Sequence, residues 1–337
     1  MTTILLTGGG GFIGSNLAKR ILETRSERLI VLDSLTYAGK QPEFEDERFE
    51  FWHGDVRNGE LVDSLVAQSD VVIHMAAETH VTRSIFDDRL FFETDVLGTQ
   101  VLANAVARHK ERVQRFIHVS TSEVYGNATA PAMDENHPLN PMSPYASAKC
   151  GADRLVFSYW STYGIPAVIV RPFNNFGPRQ HLEKAIPRFI TSCLLGEPIT
   201  IHGDGSAARD WLFVDDHCDA IEAIIDADPD KVVGEVFNLG SGEHRSVLEV
   251  ATMIRGSLAC AAGLPIEHLS DRPGQVARHT CDSGKARRVL GWSPKTSFEE
   301  ALERTIAWYR DHTDWWESMR WMRHIPIVTA DGEREMH

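Results

Sequence analysis

The chain has 337 residues, 42% of them hydrophobic, enough for one large domain or two lobes around a sizeable core. Its formal net charge of −14 argues against wrapping nucleic acid or an anionic membrane surface, although local arginines can still hold an anionic ligand. Cys150, Cys193, Cys218, Cys260 and Cys281 are widely spaced with no CxxC pair, which argues against a disulfide framework or a metal site and fits a reducing cytosol. No run of 18 apolar residues occurs, and Met1 leads into a strand without a basic segment or cleavage site, so a soluble cytoplasmic protein is expected.

The first apolar run, 4–6, reads as a buried strand and 12–22 as a helix. Further strands follow at 29–33, 49–52, 71–74, 116–119 and 167–170. Between them lie a long helical region, 84–109, with a cap or break near Asp87 and Asp88, and a helix over 144–163. Strands alternating with helices imply an α/β protein, a Rossmann-type doubly wound parallel sheet covered on both faces. Ligands of such sheets bind beyond the carboxyl ends of the strands, where the glycine turn 8–14, Asp33, Asp55, the stretch 74–77 and the triplet 121–123 all fall. After Arg171 and Pro172, proline and glycine become frequent and the elements shorten. Residues 1–171 are therefore read as the cofactor domain. Residues 172–337 are read as mainly a smaller C-terminal substrate-binding lobe, with 211–226 and 236–239 as segments that return to the main fold.

The turn fits two overlapping registers, Gly9-x-Gly11-x-x-Gly14 and Gly8-x-x-Gly11-x-x-Gly14. Gly8 and Gly9 permit the tight turn, Gly11 lets the backbone approach a pyrophosphate, and Gly14 lets the helix pack close to the strand. Phe12 and Ile13 open that helix, whose N-terminus faces the phosphates. Asp33 ends the second strand 19 residues after Gly14. A carboxylate there accepts hydrogen bonds from both ribose hydroxyls and repels a 2′-phosphate, which favours NAD over NADP. Asp55 and Val56 are read as the adenine edge, with a surface turn as the alternative. Ala76 and Ala77 complete the cofactor set.

Tyr145 and Lys149 are separated by four, so on a helix they share one face. A free tyrosine has a pKa of about 10, too high for a good base at neutral pH. A neighbouring ammonium and a positive nicotinamide ring both favour the phenolate; a fall of about three pH units corresponds to roughly 4 kcal/mol. Tyr145 then takes the proton from a sugar hydroxyl as hydride leaves its carbon. The alternative for the pair is a half-buried helix face.

Taken with Asp33-Ser34-Leu35-Thr36-Tyr37-Ala38-Gly39, His74-Met75-Ala76-Ala77-Glu78-Thr79-His80-Val81 and Ser143-Pro144-Tyr145-Ala146-Ser147-Ala148-Lys149, the chain resembles the extended short-chain dehydrogenase/reductases. Within them it most resembles the nucleotide-sugar 4,6-dehydratases, particularly the dTDP-glucose group, over roughly residues 3–310. Asn174-Asn175-Phe176-Gly177-Pro178-Arg179-Gln180, Arg209-Asp210-Trp211 and Asp271-Arg272-Pro273-Gly274 extend the likeness. The resemblance implies a nucleoside-diphosphate sugar as substrate, NAD as a bound and recycled cofactor, and a homodimer that pairs 84–109 and 144–163 from each subunit. It implies that Tyr145 and NAD oxidise C4 of a hexose while Thr121 hydrogen-bonds the same oxygen, with Lys149 beside them. Glu123 then removes the C5 proton, water leaves from C6, and hydride returns to C6, giving a 4-keto-6-deoxy sugar nucleotide.

Four positions, in three segments, depart from the dTDP-glucose pattern. Between Thr121 and Glu123 those enzymes carry an aspartate, the acid for the departing C6 hydroxyl; here it is Ser122, far too weak an acid to replace it directly. Ser122 is left to orient a water, or Glu123 to serve as base and then acid. The Thr-Ser-Glu form also resembles GDP-mannose and some UDP-GlcNAc dehydratases, and nucleotide-glucuronate decarboxylases, which oxidise C4 and lose carbon dioxide from C5. Decarboxylation is therefore the alternative reaction. Met142, where decarboxylases usually carry arginine, favours dehydration. Asp95 stands where the family usually has asparagine. Gln275 and His279 replace a histidine and a tyrosine near the nucleotide, which leaves the base open. A 4-epimerase needs no C5 base, and a non-enzymatic NAD-binding regulator needs none of Tyr145, Lys149 and Glu123.

Arg209 and Arg272 are expected at the diphosphate, since guanidinium forks suit phosphate oxygens; a surface ion pair is the alternative for each. Asn175 and Asn238 are expected as polar contacts to diphosphate or sugar, and Lys184 as a further contact. His74, His80, His109 and His118 lack metal-ligand spacing, and no metal site is expected. Asp215-Asp216-His217 is expected to cap a helix running to Ile225.

Overall fold

A computed structural model describes residues 1–271, 276–324, 326–328 and 333–336. Its first six strands are β1 (Thr3–Thr7), β2 (Arg28–Asp33), β3 (Phe49–His53), β4 (Val71–His74), β5 (Arg115–Val119) and β6 (Ala167–Pro172). The chain then leaves their sheet for β7 (Asn174–Phe176), β8 (Ile199–His202) and β9 (Ala208–Phe213), and returns to it with β10 (Val236–Leu239). The seven-stranded order is β10-β6-β5-β4-β1-β2-β3, with every neighbouring pair parallel. The order reverses between β1 and β4, so a crevice opens at their carboxyl ends. Away from this sheet, β9 pairs with β7 and with β11 (His244–Ser246), and β8 pairs with β12 (Ile266–Leu269).

The helices as far as residue 226 are α1 (Phe12–Thr24), α2 (Gly59–Val66), α3 (Val81–Phe86), α4 (Arg89–Phe91), α5 (Thr99–Arg108), α6 (Pro144–Tyr163), α7 (Ala185–Leu195) and α8 (Val214–Asp226), and shorter and longer helices follow in the C-terminal part. Strand alternation divides the core between the two faces. Ile4, Leu6, Leu29 and Val31 join Leu17 and Ile21 of α1 and Ile221 and Ile224 of α8. Leu5, Ile30 and Leu32 join Val62 of α2, Leu102 and Val106 of α5 and Val156 of α6.

The break expected near Asp87 is present: Asp87 is extended between α3 and α4. Past α4 the chain makes a π-helical turn, Phe92–Gly98, which the apolar pattern does not foretell. The turn is tied to the sheet by a buried relay. The Thr99 hydroxyl donates to the Asp95 carbonyl (2.5 Å), His74 Nε2 meets the same Thr99 oxygen (2.9 Å), and Thr7 meets His74 Nδ1 (2.7 Å). The cap expected from Asp215 and Asp216 is not made: Phe213 is the N-cap of α8. The Asp216 carboxylate instead accepts the backbone N–H groups of Lys295 (3.0 Å) and Thr296 (3.3 Å), joining α8 to a distant loop.

Helix α6 begins where its sequence says it should. Ser143 accepts the Ala146 N–H (3.1 Å), Pro144 takes the first helical position, and Gly164 closes the far end in the left-handed region. Midway along, Asp153 receives a two-pronged bond from Arg171, Nε to Oδ2 at 2.8 Å and Nη2 to Oδ1 at 2.9 Å. Burial alone raises the Asp153 carboxyl, but the Arg171 bonds and charge outweigh it and hold it below the usual range. Its contribution is thus complete above about pH 4 and lost as the pH falls through the lower folded value. Replacing Asp153 by Ala leaves the Arg171 guanidinium buried and unpaired. Denaturant unfolding should show a loss of about 3–5 kcal/mol.

Candidate active site

The glycine turn closes over the end of β1. Gly8 has φ +77°, and a Cβ there would stand 2.6 Å from the Ala76 nitrogen. A Cβ at Gly14 would overlap the Gly8 carbonyl, so α1 sits against the turn itself. At Gly11 a Cβ would meet only the Gly8 oxygen, at 3.4 Å; the protein has room there, and the open cavity lies beyond. Asp33 accepts the N–H groups of Gly10 and Leu35, both at 2.8 Å, which pins the turn to the end of β2. Burial raises its carboxyl, against those bonds and His53.

A cavity of about 330 Å³ runs along the carboxyl ends of the strands. Its wall gathers Gly8, Gly11, Phe12, Ile13, Gly14, Asp33, Asp55, Val56, Ala76 and Ala77 at one end, and Thr121, Glu123, Tyr145 and Lys149 toward the other. Asn175 and Lys184 also line it. Asp55 is held by Arg57 at 2.6 Å, and Lys184 Nζ donates to the Thr79 carbonyl at 3.0 Å. A second cavity of about 220 Å³ holds Arg209 with Arg188 and Trp211, and shares Glu123, Asn174, Asn175, Gln180 and Lys184 with the first. Glu123 therefore stands where the two cavities join.

Two expected residues, Ser122 and Asn238, are not at either wall. Ser122 is 2% exposed and lines neither cavity. Thr121 caps the 3-10 turn Ser122–Tyr125 by accepting the Glu123 N–H at 3.2 Å. That fold brings Thr121 and Glu123 to the cavity and turns the serine between them inward, so the expected role of Ser122 in orienting a water is withdrawn. Asn238 is fully buried: its oxygen accepts the Tyr125 hydroxyl at 2.6 Å and its amide donates to the Met133 carbonyl at 2.9 Å. It braces the loop before α6 and is buried away from both cavities. Arg272 lies outside the described residues.

Tyr145 and Lys149 share the buried face of α6, as their spacing requires. Their electrostatics differ from the expectation. The Lys149 ammonium donates to the Val119 carbonyl at 2.8 Å, and burial lowers its pKa against the pull of Asp95 and Asp153. The Tyr145 phenol is raised, by burial first and then by Asp95 and Glu123; only its hydrogen bond with Thr121 acts the other way. The protein alone keeps the phenol protonated.

A family model described as GDP-mannose 4,6 dehydratase matches residues 5–305. The dTDP-glucose 4,6-dehydratase of Streptomyces niveus is 41% identical over 94% of this chain and 95% of its own. The low-salt glycan biosynthesis protein Agl12 of Haloferax volcanii is 41% identical over 91% of this chain and 98% of its own. Among solved structures, the dTDP-glucose 4,6-dehydratase DesIV of Streptomyces venezuelae, crystallised with NAD, is 38% identical. It superposes with a TM-score of 0.89 over 94% of this chain and 100% of its own. The chain belongs to the nucleotide-sugar 4,6-dehydratases.

Nucleotide-sugar 4,6-dehydratases are NAD-dependent extended short-chain dehydrogenase/reductases, and the turn fits that cofactor. Gly11 leaves the space a pyrophosphate needs, and α1 supplies free N–H groups at its start. The carboxylate of Asp33 sits at the cavity edge with further lone pairs on oxygens that already accept one bond each. One residue of this dehydratase that sequence reasoning did not place in the site is Asp95. It is 1% exposed, its Oδ1 accepts the Glu78 N–H at 2.8 Å, and burial pushes its carboxyl up to about 7. The signal was an aspartate inside an apolar helical pattern, but the π-helical turn that buries it has no sequence mark.

Two glycine variants separate cofactor fit from packing. Gly11→Ala should keep the melting temperature but weaken NAD binding by about tenfold or more, measured by calorimetry. Gly14→Ala should lower both, because the overlap with Gly8 costs about 1–3 kcal/mol of packing.

Proposed function

We propose that this enzyme removes water across C5 and C6 of a nucleoside-diphosphate hexose. Tyr145, Lys149, Thr121 and Glu123 do the chemistry, and Arg209, Asn175 and Lys184 hold the diphosphate and sugar. The observation that carries the reading is the junction of the two cavities at Glu123, with Tyr145 in one and Arg209 in the other. A hexose lying across that junction presents C4 to Tyr145 and C5 to Glu123 while its diphosphate reaches Arg209. NAD, when bound, accepts hydride from C4 and gives it back at C6.

Tyr145 takes the O4 proton, and the Thr121 hydroxyl bonded to it orients that oxygen. Burial, Asp95 and Glu123 hold the phenol up, so its deprotonation requires the positive charge of the oxidised cofactor beside it. Lys149, fixed to Val119, keeps Tyr145 in line and adds positive charge to the same wall. The C4 ketone acidifies C5, and Glu123 takes that proton as the C6 oxygen leaves as water. The proton that Tyr145 took from O4 is matched by one returned to C5 when C6 is reduced, so the sum is the loss of one water. With Ser122 buried away from the cavity, Glu123 is the group placed to act as base and then as acid.

Residues 1–171 carry the cofactor half of this arrangement and 172–337 mainly the substrate half. A cytoplasmic homodimer is part of the proposal. The elements expected to pair, α3 through α5 and α6, carry exposed apolar side chains, among them Phe86, Leu90, Leu97 and Phe157. The hexose is taken to be glucose and the base thymine in the first instance, because two of the relatives above are named for dTDP-glucose.

Mass spectrometry of the protein with NAD and a panel of dTDP-, UDP- and GDP-hexoses and hexuronates tests the reading. A product lighter by one water supports it and names the base. A product lighter by one carbon dioxide, from a hexuronate, overturns it in favour of decarboxylation. Tyr145→Phe should lower kcat at least about a hundredfold with the fold intact by circular dichroism.

A further inference from the structure

His279 is fully buried, and its surroundings fix its tautomer. Its Nε2 stands 2.8 Å from the Gly126 carbonyl. A carbonyl only accepts, so Nε2 carries the proton and Nδ1 of the neutral ring is a bare lone pair. That Nδ1 is buried without a hydrogen-bond partner among the described residues, and it faces Glu123 Oε1 at 4.0 Å. The backbone holds it there from both sides: the His279 N–H donates to Ala208 of β9 (3.1 Å), and the next carbonyl, Thr280, accepts from Met133 (2.9 Å). The edge of Phe173 packs on the ring at 6.1 Å. The lone pair is buried while Glu123 borders the cavities, and a lone pair and a carboxylate oxygen that face each other repel unless a proton lies between them.

We propose that His279 is a positioning residue for the elimination step, which holds the proton of Glu123 between its removal from C5 and its delivery to the C6 oxygen. The inference rests on the dehydratase reading above. When the C5–H bond breaks, its electron pair forms the C5–C6 double bond and the proton goes to Glu123. The protonated carboxyl then donates to His279 Nδ1, which keeps the proton near the substrate and the carboxyl oriented. As the C6–O bond breaks, the departing hydroxide takes the proton and leaves as water, and Glu123 is again a carboxylate. One proton enters the pair and one leaves, so no further acid is needed and the missing carboxylic acid at position 122 is accounted for.

The groups facing His279 set its response to pH. Glu123 comes from the 3-10 turn, Arg209 from β9 and His137 from the loop before α6. Burial lowers the imidazole, opposed by Glu123 and the Gly126 carbonyl, with Arg209 and His137 adding to the lowering. The ring is therefore neutral at pH 7, the form that accepts. At lower pH both ring nitrogens carry protons, and the cation can no longer accept the proton of Glu123.

The test compares the NAD-loaded enzyme with His279→Phe and His279→Gln on the hexose nucleotide that the wild type dehydrates. Gln retains an N–H for the Gly126 carbonyl and keeps the test valid if the Phe variant fails to fold. Both variants should lower kcat about tenfold or more, with KM changed less than about threefold, by slowing elimination and not C4 oxidation. Reduced nicotinamide should therefore accumulate during turnover, and the ionisation of His279 should disappear from the acidic limb of the pH–kcat profile. An unchanged acidic limb and no accumulated reduced nicotinamide would overturn the inference, even with lower kcat, since a packing defect slows all steps together. If the wild type itself dehydrates no hexose nucleotide, it is the dehydratase reading that fails.

Discussion

A single buried bond, from the Lys149 ammonium to the carbonyl of Val119, sets the geometry on which the site depends. Val119 ends β5, and Thr121 and Glu123 follow it directly. Lys149 lies one turn into α6 from Tyr145. A charge-assisted bond in a dry setting is short and strongly directional, so the start of the helix is held over the end of the strand. The cost of burying the ammonium is offset by Asp95 and Asp153, which pull its pKa back up against burial. Asp95 in turn is carried by the π-helical turn that the Thr7, His74 and Thr99 relay ties to the sheet. The reactive residues thus belong to one polar network that joins β1, β4, β5 and α6.

What could be read from the sequence was what depends on local chemistry. Apolar runs marked the strands because a doubly covered parallel sheet buries both faces. Ser143, Pro144 and Gly164 marked both ends of α6, and the glycine turn marked the cofactor end of the cavity. What could not be read depends on partners distant in the chain. Asn238 looks like any polar residue after an apolar pair, and only the fold brings Tyr125 and Met133 to it. Ser122 sits in a motif, but the turn that hides it follows from the cap that Thr121 makes. Asp216 has the spacing of a cap, yet residues 295 and 296 claim its oxygens. The way Lys149 is held beside Tyr145 was hidden for a similar reason. Spacing by four gives a shared face, but it does not say where the ammonium bonds.

The same logic explains why the substrate side was harder to read than the cofactor side. The cofactor wall comes from consecutive strand ends of one sheet, so its residues recur at regular intervals along the first part of the chain. The second cavity draws on α7, β8, β9 and the start of α3, and no period links them. Its arginines are recognisable only as residue types suited to phosphate, and only position decides whether such a residue meets a ligand or a neighbouring carboxylate.

The return of β10 to the sheet has a consequence for how the molecule is made. Val236–Leu239 hydrogen-bonds along β6, and 63 residues separate Pro172 from Val236 in the sequence. Until that late segment emerges from the ribosome, β6 is a bare apolar edge, a template for pairing with any other extended chain. Helix α8, which arrives just before it, fastens to α1 through Arg20 with Asp219 and Glu222, and so delivers the last strand to its place. Residues 1–171 alone therefore leave this sheet one strand short. The sheet closes late, by long-range contacts that slow folding, and a nascent chain stalled before residue 236 is the form most exposed to aggregation.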